Sequence, residues 1–402
     1  MKKIIIGIVS LLLIVSGGIL FIQFNDDSKT NTIDTDSDVT DKDDKPIIIV
    51  DDIDALIDSM TLEEKIGQMF FVRPEGLDGG KSTENNATKS INNKEIDTLK
   101  KYHVGGVIFF SNNLNTKDDL IKYIDDLQDN SKYKLFIGVD EEGGIVSRLG
   151  ARGDMGVTYF PSMRELGNTN DPKKAFNVGD TLGRELKDLG FNLDFAPVAD
   201  INTNPNNPVI GNRSFGTTKE AVSPMVVEEV KGLQDRGVSA SLKHFPGHGD
   251  TSTDSHTGIA VIDADKKRLE SIELVPFKEG IKAGADFVLT AHISIPKVIG
   301  DDTPATMSKV IITDILRKEL AFEKIVITDA LEMGAITNYY TTEEIVLNSI
   351  NAGIDVLLMP INFEEAYTVL LNAVKDGKIS EDRINQSVKR IMSVKIDREI
   401  IK

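Results

Sequence analysis

The 402-residue sequence contains no cysteine and no tryptophan. The absence of cysteine excludes disulfide bonds, thiolate zinc sites, a cysteine nucleophile and a lipidated N-terminal cysteine. The absence of tryptophan removes the indole platforms that often line long open clefts, which favours a small, closed pocket. Basic residues are fewer than acidic ones, 46 against 64, so the formal net charge is −18. That balance argues against nucleic acid or an anionic membrane surface as the partner, because both require a basic footprint.

The N-terminus carries a long apolar run. Residues Ile4 to Phe24 are uncharged, follow two lysines and lead directly into Asn25-Asp26-Asp27. A helix of about twenty residues spans a bilayer, whereas a cleavable signal peptide has a shorter apolar core and a small-residue cleavage site. The pattern predicts a transmembrane signal anchor over residues 1–24, which makes a single-pass cell-membrane protein with its body outside the cell. The alternatives are a secreted protein with a cleaved signal and a cytoplasmic protein with a buried N-terminal helix.

Two further regions follow the apolar run. Residues 25–46 are rich in Asp, Thr and Ser and have few large apolar side chains, so they are predicted to form a disordered acidic linker. Residues 47–402 are predicted to form a single domain. The helix that opens near Met60 has Thr61 as its N-cap and Glu64 at the capping-box position.

Short apolar runs alternate with longer amphipathic ones through this domain. Strands are predicted at residues 69–72, 106–110, 135–140, 191–198, 239–245, 287–292, 325–329 and 356–359. Residues 73–95 in the first unit look like an inserted loop. Helical patterns separate most of the other strands, at residues 117–127, 172–189, 219–236, 269–283, 309–320, 342–352 and 363–375. Eight β-α units predict a (β/α)8 TIM-type barrel. A doubly wound open sheet is the alternative, but it would normally show a Gly-rich turn after the first strand.

The active site of such a barrel is built at the carboxyl ends of its strands. The residues at those positions are Asp140, Glu141, Glu142 and Arg148 after strand three, Asp200 and Arg213 after strand four, Lys243 and His244 at the end of strand five, His292 after strand six and Asp329 after strand seven. Carboxylates, guanidinium groups, an amine and imidazoles therefore converge on one mouth. Such groups can chelate vicinal hydroxyls, which predicts a polyol-type pocket.

Asp329 ends the apolar segment that begins at Lys324. One interpretation is that Asp329 caps the helix that follows it. The other is that it is a carboxylate nucleophile, which retaining glycoside hydrolysis requires. The surrounding polar residues favour the nucleophile.

Three of the five histidines lie in the fourteen residues from Lys243 to His256. In extended backbone, residues two apart project to the same side, so Asp254 can hydrogen-bond to the ring of His256. A carboxylate on one ring nitrogen fixes the tautomer and raises the basicity of the other, which predicts a proton donor and acceptor.

A metal site is one alternative role for the histidines of this loop. His244 and His248 have zinc-like spacing, but Pro246-Gly247 prevents the single helical face that such motifs use. No metal and no cofactor are therefore expected. His248 is interpreted as shaping its own loop, and His292 as either lining the pocket or packing at its strand end. Glu141 and Glu142 are alternatives for a carboxylate role, although Gly143-Gly144 after them predicts a tight turn with outward-pointing side chains.

These segments together resemble glycoside hydrolase family 3, in its bacterial β-N-acetylglucosaminidase branch. The pieces that carry the resemblance are Val-Asp140-Glu-Glu-Gly-Gly-x3-Arg148, Phe-Ala-Pro-Val-x-Asp200, Asn-Arg213-Ser-Phe-Gly, Lys243-His244-Phe-Pro-Gly-His-Gly-Asp-Thr, Asp254-Ser-His256 and Thr-Asp329-x3-Met333. They extend over roughly residues 60–360. Relatives that act on glucosides lack the Asp-His pair and take their acid/base from a second domain.

The resemblance implies a role for each matching residue. Asp329 matches the nucleophile, and His256, assisted by Asp254, matches the general acid/base. The residues that match those binding the hydroxyls of the terminal sugar are Asp140, Arg148, Arg213, Lys243 and His244. The implied activity is exo-acting, retaining release of terminal GlcNAc through a covalent glycosyl-Asp intermediate.

Three functions remain open at this point. The first is a β-N-acetylglucosaminidase acting on wall-derived GlcNAc-MurNAc units or muropeptides. The second is a phosphorylase that uses the same residues, because a neutral histidine base limits repulsion of an anionic acceptor. The third is a non-catalytic surface sugar-binding protein. A monomer is expected, in contact with the membrane only through the anchor.

Overall fold

Eight short strands form the centre of the fold in the computed structural model, which describes residues 53–79, 87–252 and 258–402. They are β1 (Phe70–Val72), β2 (Gly106–Phe109), β3 (Phe136–Val139), β4 (Leu193–Asp194), β5 (Ser239–Phe245), β6 (Phe287–Thr290), β7 (Ile325–Thr328) and β8 (Leu357–Leu358). Each of them lies within a predicted strand segment. Their residues are buried along their whole length, as expected where helices cover a parallel sheet.

The strands form one parallel sheet in the order β7-β6-β5-β4-β3-β2-β1-β8. The two ends of this order approach each other, because Ile327 of β7 pairs with Val356 immediately before β8. The amide of Thr328 also donates to the carbonyl of Val356 at 3.0 Å. The result is a nearly closed parallel barrel, consistent with the predicted (β/α)8 fold and not with an open sheet.

Helices connect the strands and surround the sheet. They are Ile53–Ser59, Leu62–Gln68, Pro74–Leu77, Asn93–Tyr102, Lys117–Asp129, Met163–Gly167, Pro172–Asp188, Lys219–Asp235, Lys266–Ser271, Leu274–Lys282, Pro296–Ile299, Gly334–Thr337, Thr342–Ala352, Phe363–Lys375 and Glu381–Asp397, together with a π-helix at Val310–Glu319. Two small sheets lie outside the barrel, an antiparallel pair of Glu141–Gly143 with Val146–Ser147 and a parallel pair of Ala260–Val261 with Ile293–Ser294. The predicted Thr61–Glu64 capping box is present.

Several helical regions differ from the sequence-based expectation. The region predicted as a loop contains the helix Pro74–Leu77 and the start of the helix Asn93–Tyr102, which Asn92 and Glu95 cap reciprocally. The helix predicted over 269–283 is interrupted at residues 272–273, because Pro276 has no N–H to donate to the carbonyl of Ile272. The helix Glu381–Asp397 was not predicted.

The interior of the barrel is filled by three phenylalanine rings from strands that are not neighbours. Phe71 of β1, Phe136 of β3 and Phe287 of β6 have ring centroids 5.1–6.2 Å apart. Side chains of non-adjacent strands meet only through the barrel interior, so these rings form a packed layer across it.

The predicted N-terminal segments cannot be compared with the structure. The anchor at residues 1–24, the linker at 25–46 and the predicted domain start at residue 47 all lie outside the described residues. In the described part of the chain, no helix is long and apolar enough to span a bilayer.

Candidate active site

The carboxyl ends of the strands surround a cavity of about 280 Å³. Its charged and polar lining residues are Arg73, Asp140, Glu142, Arg148, Arg213, Lys243, His244, His248, Asp329 and Glu332. Apolar side chains that include Phe110, Phe195 and Leu289 complete the wall. A small cavity with convergent charged groups fits a pocket for one polar unit of a ligand.

A network of ion pairs forms one side of the cavity. Arg213 donates from Nε and Nη2 to the two carboxylate oxygens of Glu142, at 2.9 and 2.8 Å. Lys243 Nζ lies 2.5 Å from Glu142 Oε1 and donates to Asp140 Oδ1 at 2.7 Å. Arg148 Nη2 lies 3.7 Å from Asp140 Oδ2. Four of the predicted site residues are therefore linked, directly or through Glu142.

The charges in this network stabilise one another. Burial acts to raise the pKa of Asp140, but the charges of Lys243 and Arg148 outweigh burial and hold it below its ordinary value. Glu142 has the same balance with Arg213 and Lys243, and its pKa is also lowered. Burial acts to lower the pKa of Lys243, but Asp140 and Glu142 raise it overall. All three groups are therefore charged at neutral pH.

His244 is held from both ring nitrogens. Its Nδ1 lies 2.7 Å from Asp200 Oδ2, and Arg213 Nη2 lies 3.1 Å from its Nε2. A guanidinium can only donate, so Nε2 accepts and Nδ1 carries the proton that it donates to Asp200. Asp200 also accepts from the backbone amides of His244 and His248. This buried carboxylate therefore fixes both the ring and the start of the loop that follows β5.

His248 holds the shape of that loop, as the sequence predicted. Its Nδ1 lies 2.7 Å from Thr251 Oγ1, and its carbonyl accepts from Asn207. Burial lowers the pKa of His248, which keeps the ring neutral. Gly249 permits the close packing beneath, because a Cβ at this position would lie 1.8 Å from the carbonyl oxygen of Ile201.

Asp329 follows β7 and lines the cavity. Its amide donates to the carbonyl of Thr290 at 2.8 Å, and its Oδ1 accepts from the amide of Ala330 at 2.8 Å. The next helix begins at Gly334 with Met333 at the N-cap. Asp329 therefore does not cap that helix, and the alternative role considered for it is excluded.

The structure brings six of the eight predicted site residues to this one cavity. They are Asp140, Arg148, Arg213, Lys243, His244 and Asp329. The other two, Asp254 and His256, lie outside the described residues. The catalytic and binding roles of all eight stay predictions.

Glu142 was predicted only as an alternative for a carboxylate role, and its side chain was expected to point outward from a tight turn. The turn exists, but it belongs to the hairpin of Glu141–Gly143 with Val146–Ser147, and both glutamates are buried. Glu141 accepts from Ser147 and from the amides of Leu149 and Gly150, whereas Glu142 faces the cavity. The available signal was that Glu142, like Asp140, stands just after strand three, at the end of the barrel where active sites lie.

Sequence reasoning missed Arg73 and Glu332. Arg73 follows β1, and its Nη2 donates to Glu332 Oε1 at 2.7 Å. Its guanidinium carbon lies 3.7 Å from the ring centroid of Phe110. The pair connects the end of β1 to the turn that carries Asp329. A charged residue directly after an apolar strand was the available signal for Arg73.

The rings of His244 and His248 have centroids 6.0 Å apart. Over the ranges 53–79, 87–252 and 258–402, no group of three His, Asp or Glu side chains is arranged to hold a metal ion.

Comparison with known proteins assigns most of this chain to one family. The family described as "Glycosyl hydrolase family 3 N terminal domain" matches residues 61–394. Beta-hexosaminidase A of Pseudoalteromonas piscicida is 36% identical over an alignment of 328 residues, which covers 74% of this chain and 54% of the relative. Beta-hexosaminidase LpqI of Mycobacterium tuberculosis is 34% identical over an alignment of 307 residues, which covers 74% of this chain and 77% of the relative.

A solved structure is similar over most of the chain. It is a glycoside hydrolase family 3 β-N-acetylglucosaminidase from a Paenibacillus species, with a TM-score of 0.79 and 38% identity. The similarity covers 85% of this chain and 63% of that one. The chain thus spans about half the length of the Pseudoalteromonas relative and under two thirds of the Paenibacillus one.

Proposed function

The chain belongs to glycosyl hydrolase family 3, and from this we propose that it is an exo-acting, retaining β-N-acetylglucosaminidase. The observation that carries the proposal is the position of Asp329, whose carboxylate shares a small cavity with the Asp140–Lys243–Glu142–Arg213 network. Two similar proteins, from Paenibacillus and Mycobacterium tuberculosis, are described as a β-N-acetylglucosaminidase and a beta-hexosaminidase.

In the proposed reaction, the cavity holds the terminal GlcNAc. Asp140, Arg148, Arg213, Lys243 and His244 bind its hydroxyls, since charged donors and acceptors can chelate vicinal hydroxyls. The two cations that Glu142 holds in place need little reorganisation when the sugar enters. The Asp329 carboxylate attacks the anomeric carbon, the glycosidic bond breaks, and a covalent glycosyl-Asp329 ester forms.

Proton transfer in this proposal belongs to Asp254 and His256. The imidazolium of His256 gives its proton to the leaving oxygen in the first step. The neutral ring then takes a proton from water, which attacks the anomeric carbon and releases Asp329. Two displacements at one carbon retain the configuration.

The natural substrate is proposed to be a GlcNAc-containing fragment of the bacterial cell wall, such as GlcNAc-MurNAc or a muropeptide. The support is the uncharged run from Ile4 to Phe24, which favours a single-pass cell-membrane location with the body outside the cell. Protease treatment of intact cells, with immunodetection of the chain in the membrane fraction, tests this location. If the whole chain resists the protease in intact cells, the proposed location is contradicted.

Hydrolysis of an aryl β-N-acetylglucosaminide tests the activity itself. The wild type should release GlcNAc, and Asp329→Ala should lower kcat by at least about a thousand-fold because it removes the carboxylate that is proposed to form the ester. Asp302→Ala is the matched control, because Asp302 is exposed and lies away from the cavity. An inactive wild type, or full activity in Asp329→Ala, contradicts the proposal. A phosphorylated sugar product in phosphate buffer would make the protein a phosphorylase.

A further inference from the structure

His292 is a fully buried polar residue two positions beyond the end of the barrel strand β6, yet it does not line the cavity. Its Nε2 lies 3.0 Å from the carbonyl oxygen of Ala330, and its Nδ1 lies 2.9 Å from Thr306 Oγ1. Simple packing at a strand end does not require that both ring nitrogens be engaged by groups from two different loops.

The partners define the state of the ring. A carbonyl oxygen can only accept, so Nε2 must carry a hydrogen and donate it to Ala330. Burial lowers the pKa of His292, and the nearby charge of Asp329 offsets only part of that effect, so the ring is neutral. In a neutral ring Nδ1 is an acceptor, and the Thr306 hydroxyl must therefore donate to it. The Ala330 carbonyl thus selects the tautomer, and the Thr306 hydroxyl satisfies the second ring nitrogen of that tautomer.

Ala330 connects this arrangement to Asp329. Its amide donates to Asp329 Oδ1 at 2.8 Å, while its carbonyl accepts from His292. The residues that follow are tied elsewhere, since the amide of Leu331 donates to the carbonyl of Leu358 and Glu332 pairs with Arg73. His292 therefore fixes the turn at the residue whose amide orients the carboxylate.

We propose that His292 is a positioning residue for the nucleophile, and that the Thr306 hydroxyl helps to hold its ring in place. The inference rests on the proposed role of Asp329. His292 holds Ala330 so that the Ala330 amide keeps the Asp329 carboxylate aimed into the cavity. It does not touch the sugar, so its loss lowers the rate of ester formation and leaves sugar binding intact.

Two amide substitutions of different length provide the test. In His292→Gln the side-chain amide reaches the position of Nε2 and can still donate to Ala330, whereas in His292→Asn it reaches only the position of Nδ1. With an aryl β-N-acetylglucosaminide, His292→Gln should keep kcat within about five-fold of the wild type. His292→Asn should lose about 100-fold, the cost of misplacing a reacting group by about 1 Å. KM and product inhibition by GlcNAc should change less than about three-fold in both.

The comparison separates positioning from stability. Thermal unfolding of both variants should show similar midpoints, since each replaces a buried ring by a smaller amide. Equal kcat values for His292→Gln and His292→Asn, or a raised KM with unchanged kcat, would overturn the proposal.

Thr306 provides a second pair if the His292 variants do not fold. Thr306→Val keeps the shape but removes the hydroxyl donor, so Nδ1 of the buried ring loses its partner and the ring is held less firmly against the Ala330 carbonyl. It should lower kcat about ten-fold, whereas Thr306→Ser should behave like the wild type. Wild-type kcat in Thr306→Val overturns the proposal. The proposed function is tested separately. It stands if the wild type is active and Asp329→Ala is inactive, even when both pairs of variants contradict the role of His292.

Discussion

Arg213 and Glu142 form a two-point ion pair in which Nε and Nη2 of the guanidinium donate to different carboxylate oxygens, at 2.9 and 2.8 Å. The pair joins the turn after β4 to the hairpin after β3. The same carboxylate lies 2.5 Å from Lys243 Nζ. Glu142 thus determines where two of the proposed sugar-binding cations sit.

The substitution Glu142→Gln should separate this role from simple packing. Gln keeps the shape but removes the charge that holds Arg213 and Lys243, so KM for an aryl β-N-acetylglucosaminide should rise at least about ten-fold. The free energy of unfolding should fall by about 3 kcal/mol, because two buried cations lose a partner. Glu220→Gln, at an exposed position, is the control for both measurements. A wild-type KM in Glu142→Gln would show that the cations are positioned without Glu142.

Acid should destabilise the protein through its buried carboxylates. The pKa values of Asp140, Glu142 and Asp200 are all lowered in the folded state, because burial is outweighed by cations or hydrogen-bond donors beside them. Below the unfolded-state pKa of about 4, the unfolded chain binds more protons, so stability is present above that pH and is lost as pH falls further. The fall in unfolding free energy between pH 4.5 and pH 3, measured with urea, should be smaller in Glu142→Gln than in the wild type. An equal fall in the two proteins would contradict the assignment.

Glu229 should make the folded protein less stable as the pH rises, whereas the carboxylates above make it less stable as the pH falls. It lies buried on the helix Lys219–Asp235, where burial and the nearby charge of Glu142 raise its pKa to about 8. The folded state therefore holds a proton that the unfolded state releases near pH 4.3, and stability is lost as pH rises from about 4.5 to about 8. Glu229→Gln should raise the unfolding midpoint at pH 8.5 more than at pH 5. Glu220→Gln, on the same helix, should show no such pH dependence.

His256→Ala should reveal the acid/base by its dependence on the leaving group. Without a proton donor, aryl glycosides with poor leaving groups should slow by about 100- to 10,000-fold, while those with good leaving groups slow far less. Asp254→Asn should show the same trend with a smaller effect. His248→Asn is a useful comparison, because His248 holds the loop and donates no proton to substrate in this scheme. A uniform loss for all leaving groups in His256→Ala would remove His256 from proton transfer.

Part of the fold can be predicted from local patterns in the sequence. The eight buried strands stand out as short apolar runs between amphipathic segments, because strands covered on both faces have no polar side. The Glu381–Asp397 helix shows that equally local signals can be overlooked, since Ser380 provides its N-cap. The break in the helix before Leu274 could also have been predicted, from the position of Pro276.

The sequence by itself determined which strands form the barrel and which residues stand at their carboxyl ends, because strand periodicity and the rule for barrel active sites need no distant contact. Only the tertiary structure decided where those side chains point and what they pair with. The inward turn of Glu142, the hold of Asp200 on His244 and the bond from His292 to Ala330 each join residues 30 or more positions apart. Burial beside an opposite charge or a fixed carbonyl selects these orientations, and that environment exists only once the barrel has nearly closed.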